Sequence, residues 1–316
     1  MNRVRQTCLL KWHLFLLGIF LFFWNVSIAW ANDAHGGFVW QVTAPNQTTS
    51  YLIGTIHTGK KGSTLHPDYA QALQHSRLLV VESREEDWQG VDGIANVMAL
   101  QAMIHDEKSL HAHWGEKRVA ALNRLLSQHG SAVVLDGDAH IAPWMAYMMM
   151  VTDYNFAEYS IEYGVDALLN QAAKKQQKAV LSLETLEPIV AFMQIPKAVL
   201  LRGVDSSLQH YEPALQEQLK LLQLYQHENS RPFVQEILDQ KAAVRYLAAQ
   251  DQSFWQAFLY EDLLAQRNRA WMPKMERHFK QQPTTVAVGA AHLFGKDGLI
   301  VLLRERGFKV ESVLAH

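Results

Sequence analysis

The chain has 316 residues, 49% of them hydrophobic, and its 29 basic and 31 acidic side chains give a formal net charge of −2 at pH 7. A chain of this length can bury a core large enough to fold without covalent cross-links. The near balance of charges excludes the basic footprint of a nucleic-acid-binding protein.

The first 31 residues are typical of a signal peptide. Arg3, Arg5 and Lys11 give a positive start, residues 14–24 form an apolar run, and residues 29–31 read Ala-Trp-Ala, a pattern that signal peptidase accepts. The run has 11 residues, well short of the roughly 20 that a membrane-spanning helix needs. We therefore expect a periplasmic or secreted protein. The alternative is an uncleaved segment retained at the inner membrane, which is the only membrane contact expected.

Cleavage after Ala31 changes both the charge and the chemistry of the chain. Removing 31 of the 316 residues leaves 285, with 26 basic and 31 acidic side chains and a net charge of −5. It also removes Cys8, the only cysteine, so the mature protein has no disulfide and no thiolate ligand. Its stability must come from its core.

Apolar periodicity predicts an alternation of strands and helices along the remaining chain. Strands are predicted at 38–43, 49–56, 77–82, 179–183, 285–289 and 308–313. Helices are predicted at 67–76, 94–104, 116–129, 144–157, 164–176 and 296–306, and almost throughout 187–282. Pro45-Asn46 marks a hairpin turn between the first two strands, and Gly307 stands where a helix C-cap glycine belongs.

This pattern predicts an α/β to α+β fold, with a mixed sheet built from both chain ends, flanking helices and a long helical insert. No stretch rich in proline, glycine or serine divides residues 32–316, so we expect a single domain after the signal peptide.

Four potential metal ligands follow predicted strands. His57 and His292 each end a Gly-x-x-His sequence, and Glu82 and Glu184 each end an apolar strand. Ligands bind at the carboxyl ends of strands in open α/β sheets. Two imidazoles and one or two carboxylates would suit a divalent metal if they converge. The alternative is that the glutamates cap or pair with local helices and the histidines are satisfied buried groups.

Each of the two histidines follows a glycine by three residues. Gly54 and Gly289 would let the backbone turn tightly, because glycine has no Cβ to clash. A single Gly-x-x-His sequence occurs often by chance, so only the two histidines and two glutamates together indicate a metal site.

Several further motifs occur in a fixed order along the chain and together are specific. They are residues 51–58 (Tyr-Leu-Ile-Gly-Thr-Ile-His-Thr), 65–67, 79–82, 162–169 (Glu-Tyr-Gly-Val-Asp-Ala-Leu-Leu), 183–185, Arg267-Asn268 with Trp271, 288–295 (Val-Gly-Ala-Ala-His-Leu-Phe-Gly) and 297–298. On these motifs the chain resembles the TraB/GumN family over roughly residues 38–314.

The resemblance implies a function, because the family takes in the Tiki metal-dependent peptidases, which use two Gly-x-x-His motifs and a glutamate. His57 and His292 match the paired histidines, Glu82 matches the glutamate, and Glu184 fits a further position of the pattern. The cofactor implied is a divalent ion (manganese, cobalt or zinc), and the implied substrate is a peptide or protein. Glu82 would act as a ligand or as the general base.

The resemblance also implies a role in substrate binding for Arg267 and Asn268. Arg267 could hold a substrate carboxylate or the developing oxyanion, and is predicted as catalytic on that ground. It could equally be a structural partner of Asp166 or Glu162.

A second function is also consistent with the resemblance. The family is distantly related to erythromycin-esterase-like hydrolases and to the haem-binding protein ChaN. A non-catalytic protein that binds haem or metal, or an accessory protein of envelope polysaccharide export, is therefore the alternative to a hydrolase. The sequence carries no information on the oligomeric state.

Overall fold

The structure is a computed structural model that describes residues 38–153, 158–226 and 230–313. The predicted signal peptide, including Cys8, lies outside these residues. Among the described helices, none combines the length and the apolar character that crossing a membrane requires.

A mixed six-stranded sheet lies at the centre, with the strand order β6-β4-β7-β2-β1-β8. Its strands are β1 Val39–Thr43, β2 Thr49–Thr55, β4 Leu78–Val81, β6 Ala179–Ser182, β7 Thr284–Gly289 and β8 Lys309–Ser312. These agree with the predicted strands to within two residues. A small additional sheet, not predicted, pairs β3 (Gly59–Lys60) with β5 (Tyr159–Ser160).

Four neighbouring strands of the large sheet are parallel. β4 pairs in parallel with β6 and β7, and β7 with β2, while β1 pairs antiparallel with both β2 and β8. Every residue of β4 and β7 is buried, as expected for parallel strands covered on both faces. The predicted mixed sheet from both chain ends is confirmed, and four carboxyl ends meet at one edge.

Helices cover the sheet and fill the long central part of the chain. They are α1 Pro67–Gln74, α2 Gly90–Ile104, α3 Leu110–Trp114, α4 Glu116–Gln128, α5 Pro143–Val151, α6 Val165–Lys175, α7 Glu187–Met193, α8 Lys197–Tyr225, α9 Arg231–Ile237, α10 Gln240–Ala243, α11 Gln252–Ala257, α12 Gln266–Gln281 and α13 Leu299–Glu305. The predicted helical insert is therefore confirmed.

Three predicted helix boundaries are wrong, one of them the start of the helix predicted from 94, which begins at Gly90. The helix predicted from 144 ends at Val151, and part of its predicted remainder, 154–157, lies outside the described residues. The last helix begins at Leu299 instead of 296, because residues 295–298 form a turn in which Gly295 has a φ of +86° and Gly298 N–H bonds its carbonyl.

The buried side chains form two hydrophobic clusters. One surrounds the sheet and includes Trp40, Leu79, Trp271 and Val286. The other lies among the helices of residues 88–263 and includes aromatic residues such as Trp114. Helix α12 belongs to the sheet cluster, so it packs where the strand ends carry their polar groups.

Helix α12 continues a π-helix, Phe258–Ala265, which itself follows α11. The start of this long helical segment is tied to α8 by Arg202, whose Nε donates to Asp251 Oδ2 at 2.6 Å and whose Nη2 donates to Oδ1 at 2.7 Å. Asp251 is buried, so the bidentate pair fixes the segment that carries the site residues of α12.

We predict that this pair makes the stability of the protein depend on pH. The hydrogen bond from Arg202 lowers the pKa of Asp251. The pKa of an aspartate in the unfolded chain is about 3.9. The pair therefore stabilises the fold fully above that pH, and its contribution is lost as the pH falls through the lower pKa of the folded state. Arg202→Met should therefore lower the urea midpoint at pH 7.

The difference from wild type should hold down to about pH 5 and shrink below about pH 4. Lys296→Met is the control, because the Lys296 side chain is 79% exposed and its Nζ lies 3.8 Å from Asp297 Oδ2. A difference for Arg202→Met that stayed constant down to about pH 3 would contradict the assignment.

Candidate functional site

The four predicted ligands lie along the carboxyl edge of the parallel strands. The strand order β6-β4-β7-β2 places them in the spatial order Glu184, Glu82, His292, His57. Neighbouring strands are about 4.8 Å apart, so β6 and β2 are separated by about 14 Å. Glu82, His292 and His57 follow adjacent strands, whereas Glu184 lies at the far end of the row.

Glu82 is held by two donors in the protein. Its Oε1 accepts the N–H of Gly289 at 2.7 Å, and its Oε2 accepts from Arg267 Nη2 at 2.6 Å. The carboxylate is buried, and its Oε1 lies 3.9 Å from His292 Nε2. One oxygen of Glu82 is thus directed to Arg267 and the other towards His292.

His57 is oriented by Asp166, which was not among the predicted site residues. Its Nδ1 lies 2.9 Å from Asp166 Oδ2, and Thr55 Oγ1 donates to Asp166 Oδ1 at 2.5 Å. Burial acts to lower the pKa of His57, but the charge of Asp166, its hydrogen bond and the charge of Glu82 outweigh burial and raise the pKa. With Nδ1 directed to Asp166, Nε2 faces the other members of the site.

A glycine brings Asp166 to this position. A Cβ on Gly164 would lie 2.4 Å from the carbonyl oxygen of His57, and Val165 N–H donates to Ile56 O at 2.9 Å. Only glycine therefore lets the start of α6 lie directly against the end of β2. Asp166 is in the first turn of that helix and so reaches the imidazole.

His292 is oriented by Asn268. The Asn268 amide Nδ2 donates to the carbonyls of His292 and Asp297 at 3.0 and 2.8 Å, which leaves Oδ1 to accept from His292 Nδ1 at 2.6 Å. Burial lowers the pKa of His292 well below its ordinary value, and the charges of Arg267 and His57 lower it further. His292 is therefore neutral at pH 7, with Nδ1 protonated and the lone pair of Nε2 towards Glu82.

Arg267 joins the two glutamates. It donates through Nε and Nη2 to Glu184 and through Nη2 to Glu82, and its Nη1 donates to Leu263 O at 3.1 Å. Trp271 Nε1 donates to Glu184 Oε2 at 3.0 Å, with the Arg267 guanidinium 4.8 Å from its ring centre. The sequence suggested that Arg267 could pair with Asp166 or Glu162. In the structure it pairs with Glu82 and Glu184 instead.

These contacts bear on the predicted roles of Arg267, Asn268 and Glu184. Both Arg267 and Asn268 are buried and bond to other site residues. Both oxygens of Glu184 accept from Arg267, and one also accepts from Trp271. Substrate binding by Arg267 and Asn268, catalysis by Arg267 and metal ligation by Glu184 all stay predictions; the contacts show that each of these side chains bonds to another residue of the site.

The two glycines of the Gly-x-x-His sequences provide space rather than a special turn. Gly289 has a φ of −49°, and Gly54 is not among the described glycines with positive φ. A Cβ on Gly54 would lie 3.1 Å from Ala290 Cα, and one on Gly289 would lie 3.3 Å from Glu82 Oε1 and 3.5 Å from His57 Nε2. The predicted advantage of having no Cβ to clash is therefore confirmed, whereas neither glycine adopts a positive φ.

A divalent metal ion suits Glu82, His57 and His292 by chemistry and orientation. Metal-bound histidines characteristically donate their other ring N–H to a carboxylate or carbonyl, as Asp166 and Asn268 allow here. The space next to Gly289, which a Cβ would fill, adjoins Glu82 Oε1 and His57 Nε2. The cluster contains three carboxylates and one guanidinium; Arg267 pairs with two of the carboxylates and His57 with the third, so with neutral imidazoles negative charge is left for a cation to offset.

The donor atoms of Glu82 and His292 are farther apart than two ligands of one metal ion. Within the described parts of the chain, no three His, Cys, Asp or Glu side chains already form a metal-binding group. Glu82 Oε1 and His292 Nε2 are 3.9 Å apart, whereas tetrahedral ligands about 2.1 Å from one ion lie about 3.4 Å from each other. A contraction of about 0.5 Å between these two atoms would close that difference.

Comparison with known proteins is consistent with the motifs that the site contains. The uncharacterized protein YbaP of Shigella flexneri is 29% identical over 296 residues, which cover 89% of this chain and 98% of that protein. YbaP of Escherichia coli (strain K12) is 28% identical over 296 residues, with the same coverage of 89% and 98%. The model of the TraB/PrgY/gumN family matches residues 38–312, which include every site residue described above. The predicted resemblance is confirmed, and the chain belongs to the TraB/PrgY/gumN family.

Proposed function

We propose that this protein is a metal-dependent hydrolase that cleaves peptide bonds. The observation that carries the proposal is the pair of imidazoles whose Nδ1 atoms are held by Asp166 and Asn268, with Glu82 beside them. In a merely structural role, neither histidine would need its second nitrogen directed towards a buried carboxylate. The Tiki peptidases, which the motifs resemble, use the same residue types.

His57, His292 and Glu82 would hold the ion. A bound divalent ion lowers the pKa of a coordinated water from about 15.7 towards about 7 and polarises a carbonyl. Neutral imidazole is the form that binds metal, and burial already keeps His292 in that form. Asp166 and Asn268 fix which nitrogen each ring presents, so no reorientation is needed.

Arg267 would hold one oxygen of Glu82 away from the histidines. Because Arg267 binds Glu82 Oε2, only Oε1 faces the histidines. This oxygen is the group in the site that can accept a proton from water or remain a ligand. The proposal leaves Arg267 as a positioning residue, since its guanidinium is already bonded to both glutamates.

We predict that purified protein binds one equivalent of manganese, cobalt or zinc and cleaves unstructured peptides, and that His57→Ala and His292→Ala remove both properties. The reason is that each substitution deletes one of three donors. Elemental analysis and peptide mass spectrometry, before and after treatment with a chelator, measure the two properties separately.

His75→Ala is the matched control, because His75 is exposed and follows α1 outside the site. It should retain metal and cleavage. Stoichiometric metal that persisted in both His57→Ala and His292→Ala would place the ion elsewhere, and cleavage that survived the chelator would exclude a metal-dependent reaction.

We predict that Asp166→Asn weakens metal binding by about 10- to 100-fold while the fold is retained, because the carboxylate that fixes the His57 ring is lost. Isothermal titration with each ion measures the effect. Asp138→Asn is the control, since Asp138 also approaches a histidine Nδ1, that of His111 at 3.2 Å, but is 93% exposed and outside the site. Equal affinities for the two variants would remove Asp166 from the proposed site.

We also propose that the protein acts outside the cytoplasm, on the basis of the sequence of its first 31 residues. The expected mature N-terminus is Asn32, measured by N-terminal sequencing of protein from cell fractions. A soluble cytoplasmic product that begins at Met1 would overturn this part of the proposal.

A further inference from the structure

The two outer strands of the large sheet differ in chemistry. On β8, Lys309 and Glu311 are charged and exposed, and they form an ion pair at 2.8 Å. Charged side chains are a common protection of an edge strand against pairing with another chain. In contrast, β6 reads Ala-Val-Leu-Ser, without a charge, and Leu181 is 36% exposed. The sheet therefore has one protected edge and one receptive edge.

The backbone of β6 alternates between its neighbour and the free edge. Leu183 N–H donates to Val81 O at 2.9 Å, and Ser182 is in register with Val81. In a parallel ladder every second residue bonds the neighbouring strand, so the backbone groups of Ala179 and Leu181 face β4. Those of Val180 and Ser182 face outwards.

A single side chain covers part of this edge. Arg84 Nη1 donates to the carbonyl of Val180 at 2.7 Å, and its Nε is held by Asp87 Oδ1 at 2.7 Å. Among the described residues, the N–H of Val180 and the N–H and C=O of Ser182 have no hydrogen-bond partner, since β6 pairs only with β4. What the edge presents is an alternation of donors and acceptors, which is the pattern that an extended peptide backbone complements.

The carboxyl end of β6 leads into a cavity of about 590 Å³. Its lining includes Val190 and Gln194 of α7 and Gln266 and Lys274 of α12. Glu184 and Arg267 also line it, and Arg267 bonds Glu82 of the proposed metal site. The cavity therefore lies next to the end of β6, and the Arg267–Glu184 pair separates it from the residues of the proposed metal site.

We propose that an extended peptide binds as an added strand on β6, with the side chain that passes the end of the strand entering the cavity. The claim that this peptide is a substrate rests on the proposed function, whereas the claim that it binds to β6 does not. Backbone hydrogen bonds would supply the affinity without selecting a sequence.

Proline substitutions can remove N–H groups that face outwards while leaving the groups that bond to β4 unchanged. Val180→Pro and Ser182→Pro each remove an N–H that faces outwards, and proline is tolerated on an edge strand when its position faces away from the ladder. Val180→Thr is the matched control, because it keeps the N–H and a branched side chain. All three changes are made in the full chain carrying His57→Ala, so that bound peptide is not cleaved.

The probe is a degenerate library of ten-residue peptides, captured on immobilised protein and identified by mass spectrometry. We expect peptides retained by the Val180→Thr protein, with retention about five- to tenfold weaker for each proline variant, as the loss of a backbone hydrogen bond implies. Retention that is equal in all three proteins, or no retention in any, would overturn the proposal.

A second measurement avoids any effect of proline on folding. Retained peptides are resynthesised with one N-methyl group, which removes one peptide donor, and are bound to the His57→Ala protein with β6 unchanged. Loss at alternate peptide positions supports strand addition; equal effects at every position overturn it. Retention on β6 without cleavage by wild type would reject the hydrolase alone, and cleavage indifferent to both prolines would reject the docking alone.

Discussion

The arrangement of the candidate site depends on the buried guanidinium of Arg267. Glu82 and Glu184 end neighbouring strands, and burial would make two adjacent carboxylates costly unless a cation paired with them. Arg267 binds both, and the loss of one partner from such a pair typically costs about 3–5 kcal/mol because a buried charge remains uncompensated. The same helix carries Asn268 and Trp271, so the placement of α12 against the strand ends fixes Glu82, Glu184 and the ring of His292 together.

Arg267 pairs with Glu184 and with one oxygen of Glu82, so the remaining charge of the site lies on the side of the histidines. Glu82 Oε1, Asp166 and two imidazoles are left there, and burial keeps His292 neutral. Asp166 and Glu82 instead raise the pKa of His57, which means that this half of the site stabilises positive charge. A proton on His57 and a divalent cation are two ways to supply that charge. The proposed function favours the cation, since both rings already direct Nε2 inwards.

The sequence was sufficient to predict that the four ligand candidates lie at strand ends, because short apolar runs ending in His or Glu mark parallel strands. It could not give the strand order. That order depends on the non-local pairing of β7 between β4 and β2, and it is what separates Glu184 from the histidines. Asp166 was missed for a similar reason: its contact with His57 depends on how closely Gly164 lets α6 approach β2, a distance that spacing along the chain does not encode.

The strand order also explains why the receptive edge and the candidate site occur at the same end of the sheet. β1 and β8 lie on the opposite side of the sheet, with antiparallel pairing and a charged outer strand, and none of the four ligand candidates follows either of them. On the other side, the outermost strand is parallel to the three that carry Glu82, His292 and His57. In the docking that we propose, a chain that pairs with β6 and continues past its end would lie nearer to Glu184 and Arg267 than to the histidines. In the proposed function, this order places recognition of the peptide backbone at the outer strand and hydrolysis further in.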